Sequence, residues 1–170
     1  MARCSHQQGR TMKKLDQPKP RYVLNAAVTP SIYSELMRVK AVADDSISGI
    51  IRMLWDALSD PEELARLKRY KAAADELTEK KALAMIRETS AHYSATPASI
   101  ASRSKITVTL SDTIHDSLRL IESSCGISQS KFIRMAWRGL DDPMHWQTAL
   151  EYHAKTMRLQ AASGSGKGQK

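Results

Sequence analysis

Residues 51–55 read Ile-Arg-Met-Leu-Trp, and residues 133–137 read Ile-Arg-Met-Ala-Trp. At that offset of 82, residues 21–61 align without a gap on residues 103–143. Twelve of the 41 positions are identical: Arg21/Arg103, Ile32/Ile114, Leu36/Leu118, Ser46/Ser128, Ser48/Ser130, Ile51/Ile133, Arg52/Arg134, Met53/Met135, Trp55/Trp137, Leu58/Leu140, Asp60/Asp142 and Pro61/Pro143. Val28/Leu110 and Val39/Ile121 keep the same phase. Self-similarity of this kind marks a duplicated supersecondary unit, which usually needs a neighbour to bury its apolar face.

Each copy reads as strand, helix, helix. In the second, Ile106-Thr107-Val108-Thr109-Leu110 alternates β-branched apolar and polar residues with period two, as a strand with one buried face does. Lys105, Thr107 and Thr109 then face outward. Ser111 is placed to cap a helix carrying Ile114, Leu118, Ile121 and Cys125 on one face, and Gly126 ends it. Ser128 caps a second helix with Phe132, Ile133, Ala136, Trp137 and Leu140 inward, closed by Asp141-Asp142-Pro143. The first copy follows the same order. Tyr22, Leu24, Ala26 and Val28 are expected inside, with Val23, Asn25 and Ala27 outside. Thr29-Pro30 starts a helix bearing Ile32, Leu36, Val39 and Ala43, Asp44-Asp45 breaks it, and Ser46 caps the next, bearing Ile47, Ile50, Ile51, Leu54, Trp55 and Leu58.

Outside the copies, Asp60-Pro61-Glu62-Glu63 opens a helix that Leu64, Leu67, Tyr70, Ala74, Leu77 and Ile86 carry to about residue 89. Residues 90–104 read as a loop. A matching helix follows Pro143, with Trp146, Leu150, His153 or Ala154, and Met157 on one side, and Tyr70/Tyr152 and Ala72/Ala154 keep the offset. The expected organisation is a disordered basic arm over 1–20, unit one over 21–61, a connecting helix and loop over 62–104, unit two over 105–143, a C-terminal helix over 144–161 and a disordered tail over 162–170. The fold class is mostly α with one short two-stranded antiparallel ribbon.

With 170 residues, 42% of them hydrophobic, and only three Trp, five Tyr and one Phe, the core must be largely aliphatic. No apolar run approaches the roughly 20 residues of a membrane span, and residues 1–20 lack the apolar stretch of a secretory signal, so a cytoplasmic, membrane-free protein is expected. Cys4 and Cys125 sit in unlike contexts and do not suggest a disulfide framework or a zinc site. No Ser-His-Asp set, glycine-rich phosphate loop or paired catalytic carboxylates appear, so neither an enzyme nor a cofactor is expected. His145 and His153 read as packing or solvated residues, and Trp55, Trp137 and Cys125 as core. Arg52 and Arg134 suit ion pairs and phosphate contacts equally well.

A single unit is too small to bury a sufficient core, and a lone strand is unstable in water. Strands 22–28 and 106–110 can solve this by pairing, within one chain or across two, leaving Val23, Asn25, Ala27, Lys105, Thr107 and Thr109 exposed on one face. Such a ribbon fits the major groove of B-DNA. The bland alternative is an edge hairpin with no ligand.

On these residues the chain resembles the ribbon-helix-helix (MetJ/Arc) superfamily of DNA-binding proteins over residues 21–61 and 103–143. The resemblance implies two tandem units plus extra helices, with Val23, Asn25, Ala27, Lys105, Thr107 and Thr109 contacting bases. It places phosphate contacts at Ser46, Ile47 and Ser48 and at Ser128, Gln129 and Ser130, to which Lys131, Arg21 and Arg103 are added; helix N-termini favour anions independently of the resemblance. Val23 and Ala27 are apolar where the family often carries longer polar side chains, so a non-palindromic DNA element is expected. Double-stranded DNA is the expected partner. A transcriptional repressor or regulator is the first functional reading. The tandem form is similar to relaxosome accessory proteins of conjugative plasmids, the alternative, and an antitoxin is the third. The added helices suit self-association on DNA or a protein partner at the C-terminal helix. Of the eight excess positive charges, six lie in residues 1–20 and 161–170, so tails would supply general attraction while a near-neutral ribbon selects sequence.

Overall fold

The computed structural model describes residues 21–88 and 104–164. The expected arm with Cys4, most of the expected loop, Arg103 and residues 165–170 lie outside the described residues. The elements run β1 (Arg21–Val28), α1 (Pro30–Ala43), α2 (Ile47–Asp56), α3 (Pro61–Glu88), β2 (Ser104–Ser111), α4 (Asp112–Cys125), α5 (Gln129–Gly139) and α6 (Pro143–Gly164). The described chain is therefore mostly helical with one two-stranded antiparallel sheet, and both strands belong to the same chain. Their register pairs Asn25 with Thr107, residues 82 apart, so the offset of the sequence repeat and the centre of the ribbon coincide.

Local chemistry starts and stops most helices as their sequences imply. Thr29, Ser46 and Ser128 accept from the backbone N–H of Ile32 (3.3 Å), Gly49 (2.9 Å) and Lys131 (3.3 Å). Ser111 is a correction: it precedes α4 but its side chain makes no capping bond, and the acidic Asp112 in the first turn faces the helix dipole instead. Gly126 (φ 67°) and Asp44 (φ 51°) end α4 and α1 in the left-handed conformation.

The inner face of the ribbon contributes Ala26, Val28, Ile106, Val108 and Leu110 to one core with Leu36, Val39, Ile50, Leu118, Ile121, Phe132 and Trp137. Several expected core positions are less enclosed, Leu24, Ala43 and Ile47 being half-buried. Tyr22 lies at the strand end, 40% exposed, with its ring stacked 4.2 Å from His115. Trp55 and Cys125 are half-buried rather than enclosed.

Helix α3 packs on α1 and α2, and α6 packs on α5 and α4. Their buried residues are Leu67, Lys71 and Ala74 in one, and Ala149, His153 and Thr156 in the other, again 82 apart. Of the expected α6 face, His153 is thus buried, whereas Ala149 and Thr156 were not expected inside. Trp146 and Leu150 are half-buried, and Ala154 and Met157 are exposed. Two contacts accompany this packing of α6. A Cβ on Gly139 would fall 2.7 Å from the Trp146 backbone, so α6 begins in backbone contact with the end of α5. Farther along, Gln160 Nε2 donates to the Ser117 hydroxyl of α4 at 2.8 Å. In α3, Leu77, three residues past buried Ala74, is also exposed.

Buried Lys71, Ser117 and Thr156 are hydrogen-bonded within the chain, while Arg38 Nε, Asp112 Oδ1 and Gln129 Oε1 are buried without a hydrogen-bond partner. Lys71 donates to Asp141 and is ion-paired with Glu35 at 3.5 Å, with its ammonium 6.0 Å from the Trp137 ring. His153 stands edge-on to Trp55 at 4.9 Å, and burial pushes its imidazole pKa below the ordinary 6.5. The unfolded chain therefore binds a proton that the folded chain resists. Stability from His153 is complete above about pH 6.5 and is lost as pH falls toward the depressed folded value. Urea midpoints at several pH values are expected to fall on acidification, with a shallower fall in His153→Gln. An identical pH profile for the two proteins would refute the assignment.

Candidate nucleic-acid interface

The outer face of the ribbon is a two-by-three array. Val23 lies opposite Thr109, Asn25 opposite Thr107, and Ala27 opposite Lys105. Val23 is 64% exposed, Asn25, Lys105 and Thr107 are exposed, and Ala27 and Thr109 are half-buried. At about 3.3 Å per residue and about 4.8 Å between strands, the array measures roughly 13 by 5 Å. Apart from Lys105 the side chains are short, and Thr107 Oγ1 donates to Asn25 Oδ1 at 3.0 Å, joining the central pair.

The starts of α2 and α5 flank this array. The Ser48 hydroxyl accepts from the backbone N–H of Thr109 at 2.9 Å, and the Ser130 hydroxyl accepts from that of Ala27 at 3.0 Å. These are the same contact made twice, each serine reaching the strand of the other copy. They satisfy N–H groups on the outer edges of a two-stranded ribbon, groups that otherwise invite pairing with another chain. They also hold each helix start beside the strand it flanks.

The remaining phosphate candidates are spread over these two ends. Ser46 and Ser128 are the capping residues, and Ile47 is half-buried in the first turn of α2. Gln129 Nε2 donates to Glu122 at 3.0 Å, which ties its side chain back to α4, and Lys131 is exposed. Arg21 belongs to β1 and pairs through its backbone with Ser111, its side chain not being described, and Arg103 lies outside the described residues.

Arg134, read from the sequence as suited equally to ion pairs and phosphate contacts, makes a backbone contact instead. Arg134 Nη1 donates to the Ala27 carbonyl at 2.7 Å, clamping α5 onto β1 beside the Ser130 contact. The identical Arg52 instead donates from Nε to Ser48 O within its own helix, at 3.4 Å. The Arg52/Arg134 identity was the available signal, but identity alone could not say that the two would bond differently.

Other polar features lie away from the ribbon's outer face. A cleft of about 260 Å³ is bordered by Thr29, Glu35, Arg138, Asp141, Asp142 and His145. Its acids are engaged: Glu35 and Asp141 hold Lys71, and Asp142 bonds His145 at 2.5 Å. That bond, together with the Met144 N–H, holds the Asp142 carboxyl below its usual range. Among the described residues no group of three or more His, Cys, Asp or Glu is placed to hold a metal ion, and no helix is long and apolar enough to cross a membrane.

Comparison of the chain with protein-family models, curated proteins and solved structures finds no match.

Proposed function

We propose that this chain is a sequence-specific double-stranded DNA-binding protein, built as two tandem ribbon-helix-helix units whose shared ribbon enters the major groove. One observation carries the reading: an outward-facing array of mostly short side chains, narrow enough for a groove about 12 Å wide, is flanked on both sides by serine-held helix starts. The array suits base edges, and the helix starts suit the phosphates bordering the groove.

Its role is that of a transcriptional repressor or regulator acting on operator DNA. The single-chain ribbon also favours a second reading, a DNA-architectural accessory of a mobile element. Fusing two unlike strands makes the central pair Asn25/Thr107 chemically unequal, which suits a non-palindromic core element.

Selection of bound fragments from the source genome tests both. Recovery of a defined element is expected, beside a promoter for the regulator and at a transfer origin for the accessory. Asn25→Ala or Thr107→Ala should relax preference within that element. Loss of residues 1–20 should weaken binding to all DNA about equally and flatten its salt dependence. Equal losses on selected and random DNA for the strand variants would refute the groove assignment. Recovery of perfect palindromes alone would refute the asymmetric core.

A further inference from the structure

The two helix starts beside the ribbon are equivalent in placement and differ in how charge is seated on them. Their placement is fixed by one contact made twice, Ser48 on Thr109 and Ser130 on Ala27. Their sequences differ. The start of α5 reads Gly126-Ile127-Ser128-Gln129-Ser130-Lys131, whereas the start of α2 reads Asp44-Asp45-Ser46-Ile47-Ser48-Gly49.

The Asp45 carboxylate is seated over the first turn of α2. Its Oδ1 accepts from the Ser46 N–H at 2.6 Å and from the Ser46 hydroxyl at 3.4 Å. The seat depends on Gly49, since a Cβ there would fall 2.1 Å from Oδ1 and 2.2 Å from Oδ2. Any other residue at 49 would displace the carboxylate. At the equivalent points of α5, a buried Ile127 stands in place of exposed Asp45, and exposed Lys131 in place of Gly49. One end carries an internal anion seated over its first turn, and the other carries an exposed cation, with the neighbouring Glu122 carboxylate of α4 held by the Gln129 side chain instead.

Resting on the DNA-binding reading, we infer that Asp45 is an internal counter-anion that closes the α2 start to a backbone phosphate. The duplex is then held at the α5 start, with Lys131, and the protein sits on its element in one orientation. A carboxylate already occupying the positive end of a helix cancels its attraction for a second anion and repels it. The serine contacts keep both helix starts at the ribbon, so the asymmetry comes from charge and not from position.

The experiment uses the full chain on a selected DNA fragment, with phosphate-ethylation interference on the wild type and salt-dependent titration of the wild type, Asp45→Asn and Lys131→Gln. Asn preserves an oxygen acceptor for the Ser46 N–H while removing the charge. Interference on one flank only is expected for the wild type. Asp45→Asn should bind about three- to tenfold more tightly at low salt, with a slope of log K against log salt steeper by about 0.9, one phosphate's worth. Lys131→Gln should bind more weakly with a shallower slope. Interference on both flanks of the wild type overturns the inference without needing a variant. Unchanged affinity and slope in Asp45→Asn also overturn it, while wild-type binding leaves the DNA reading standing. If no protein binds duplex DNA, the DNA reading fails and takes the inference with it.

Discussion

Trp137→Ala is expected to lower the free energy of unfolding by about 3–5 kcal/mol, the range for truncating a fully buried large aromatic. Trp137 is 1% exposed and the largest of the enclosed side chains. Its indole N–H donates to Glu35 at 2.9 Å, and Glu35 in turn holds the buried Lys71, whose ammonium lies over the indole ring. Alanine would open a cavity and take one donor from a buried ion pair. Trp137→Phe separates these effects: most of the packing remains, and losing the N–H should cost about 1–2 kcal/mol. The repeat-equivalent Trp55 is half-buried, edge-on to His153 and tilted 6.0 Å from Phe132. Trp55→Ala should therefore cost less than Trp137→Ala. Urea denaturation with linear extrapolation measures all three. Equal losses at the two tryptophans would contradict the burial difference on which the expectation rests.

Separated into residues 1–89 and 90–170, the chain is expected to lose its folded structure in each piece and regain it on mixing, as a one-to-one complex. Neither piece contains both strands, and a two-stranded ribbon cannot form from one. Each piece would also expose half of a shared core, Ala26, Val28 and Ile50 in one and Ile106, Val108 and Phe132 in the other. Self-pairing is the competing outcome, and the chemistry disfavours it. Ile50, Leu54 and Leu67 correspond at the offset of 82 to Phe132, Ala136 and Ala149, so large and small side chains alternate between copies. Two first halves would offer Lys71 a serine, Ser59, where it now meets Asp141. Two second halves would set Ser117 at the position of Glu35, leaving each Trp137 without its acceptor. Circular dichroism and analytical ultracentrifugation of each piece and of the mixture decide the matter. Native-like helicity with cooperative unfolding in either piece alone would overturn the expectation.

Much of the site was legible in the chain. Period-two alternation in Ile106–Leu110 put Lys105, Thr107 and Thr109 on one face, and transfer at the offset of 82 did the same for Val23, Asn25 and Ala27 against a weaker pattern. Both assignments agree with the burial of the strands because side-chain direction in a strand is local. The serine pairs were visible as identities, but their reach was not. Ser48 and Ser130 are 61 and 103 residues from the strand atoms they bond, beyond anything periodicity can report.

The inward face of α6 was only partly legible, with His153 among the expected residues but not Ala149 or Thr156, for a related reason. Its apolar residues allow more than one inward face, and the Gly139–Trp146 backbone approach and the Gln160–Ser117 bond accompany the one adopted. By itself, then, the sequence determined the duplication, the strand faces and the serine caps at Ser46 and Ser128, all consequences of short-range spacing and side-chain type. Only the tertiary structure decided that the ribbon closes within one chain, that Lys71 and His153 are buried at equivalent points, and that Arg52 and Arg134 bond differently. Those outcomes depend on which distant groups are brought within hydrogen-bond or van der Waals range, and residue spacing carries no record of that distance.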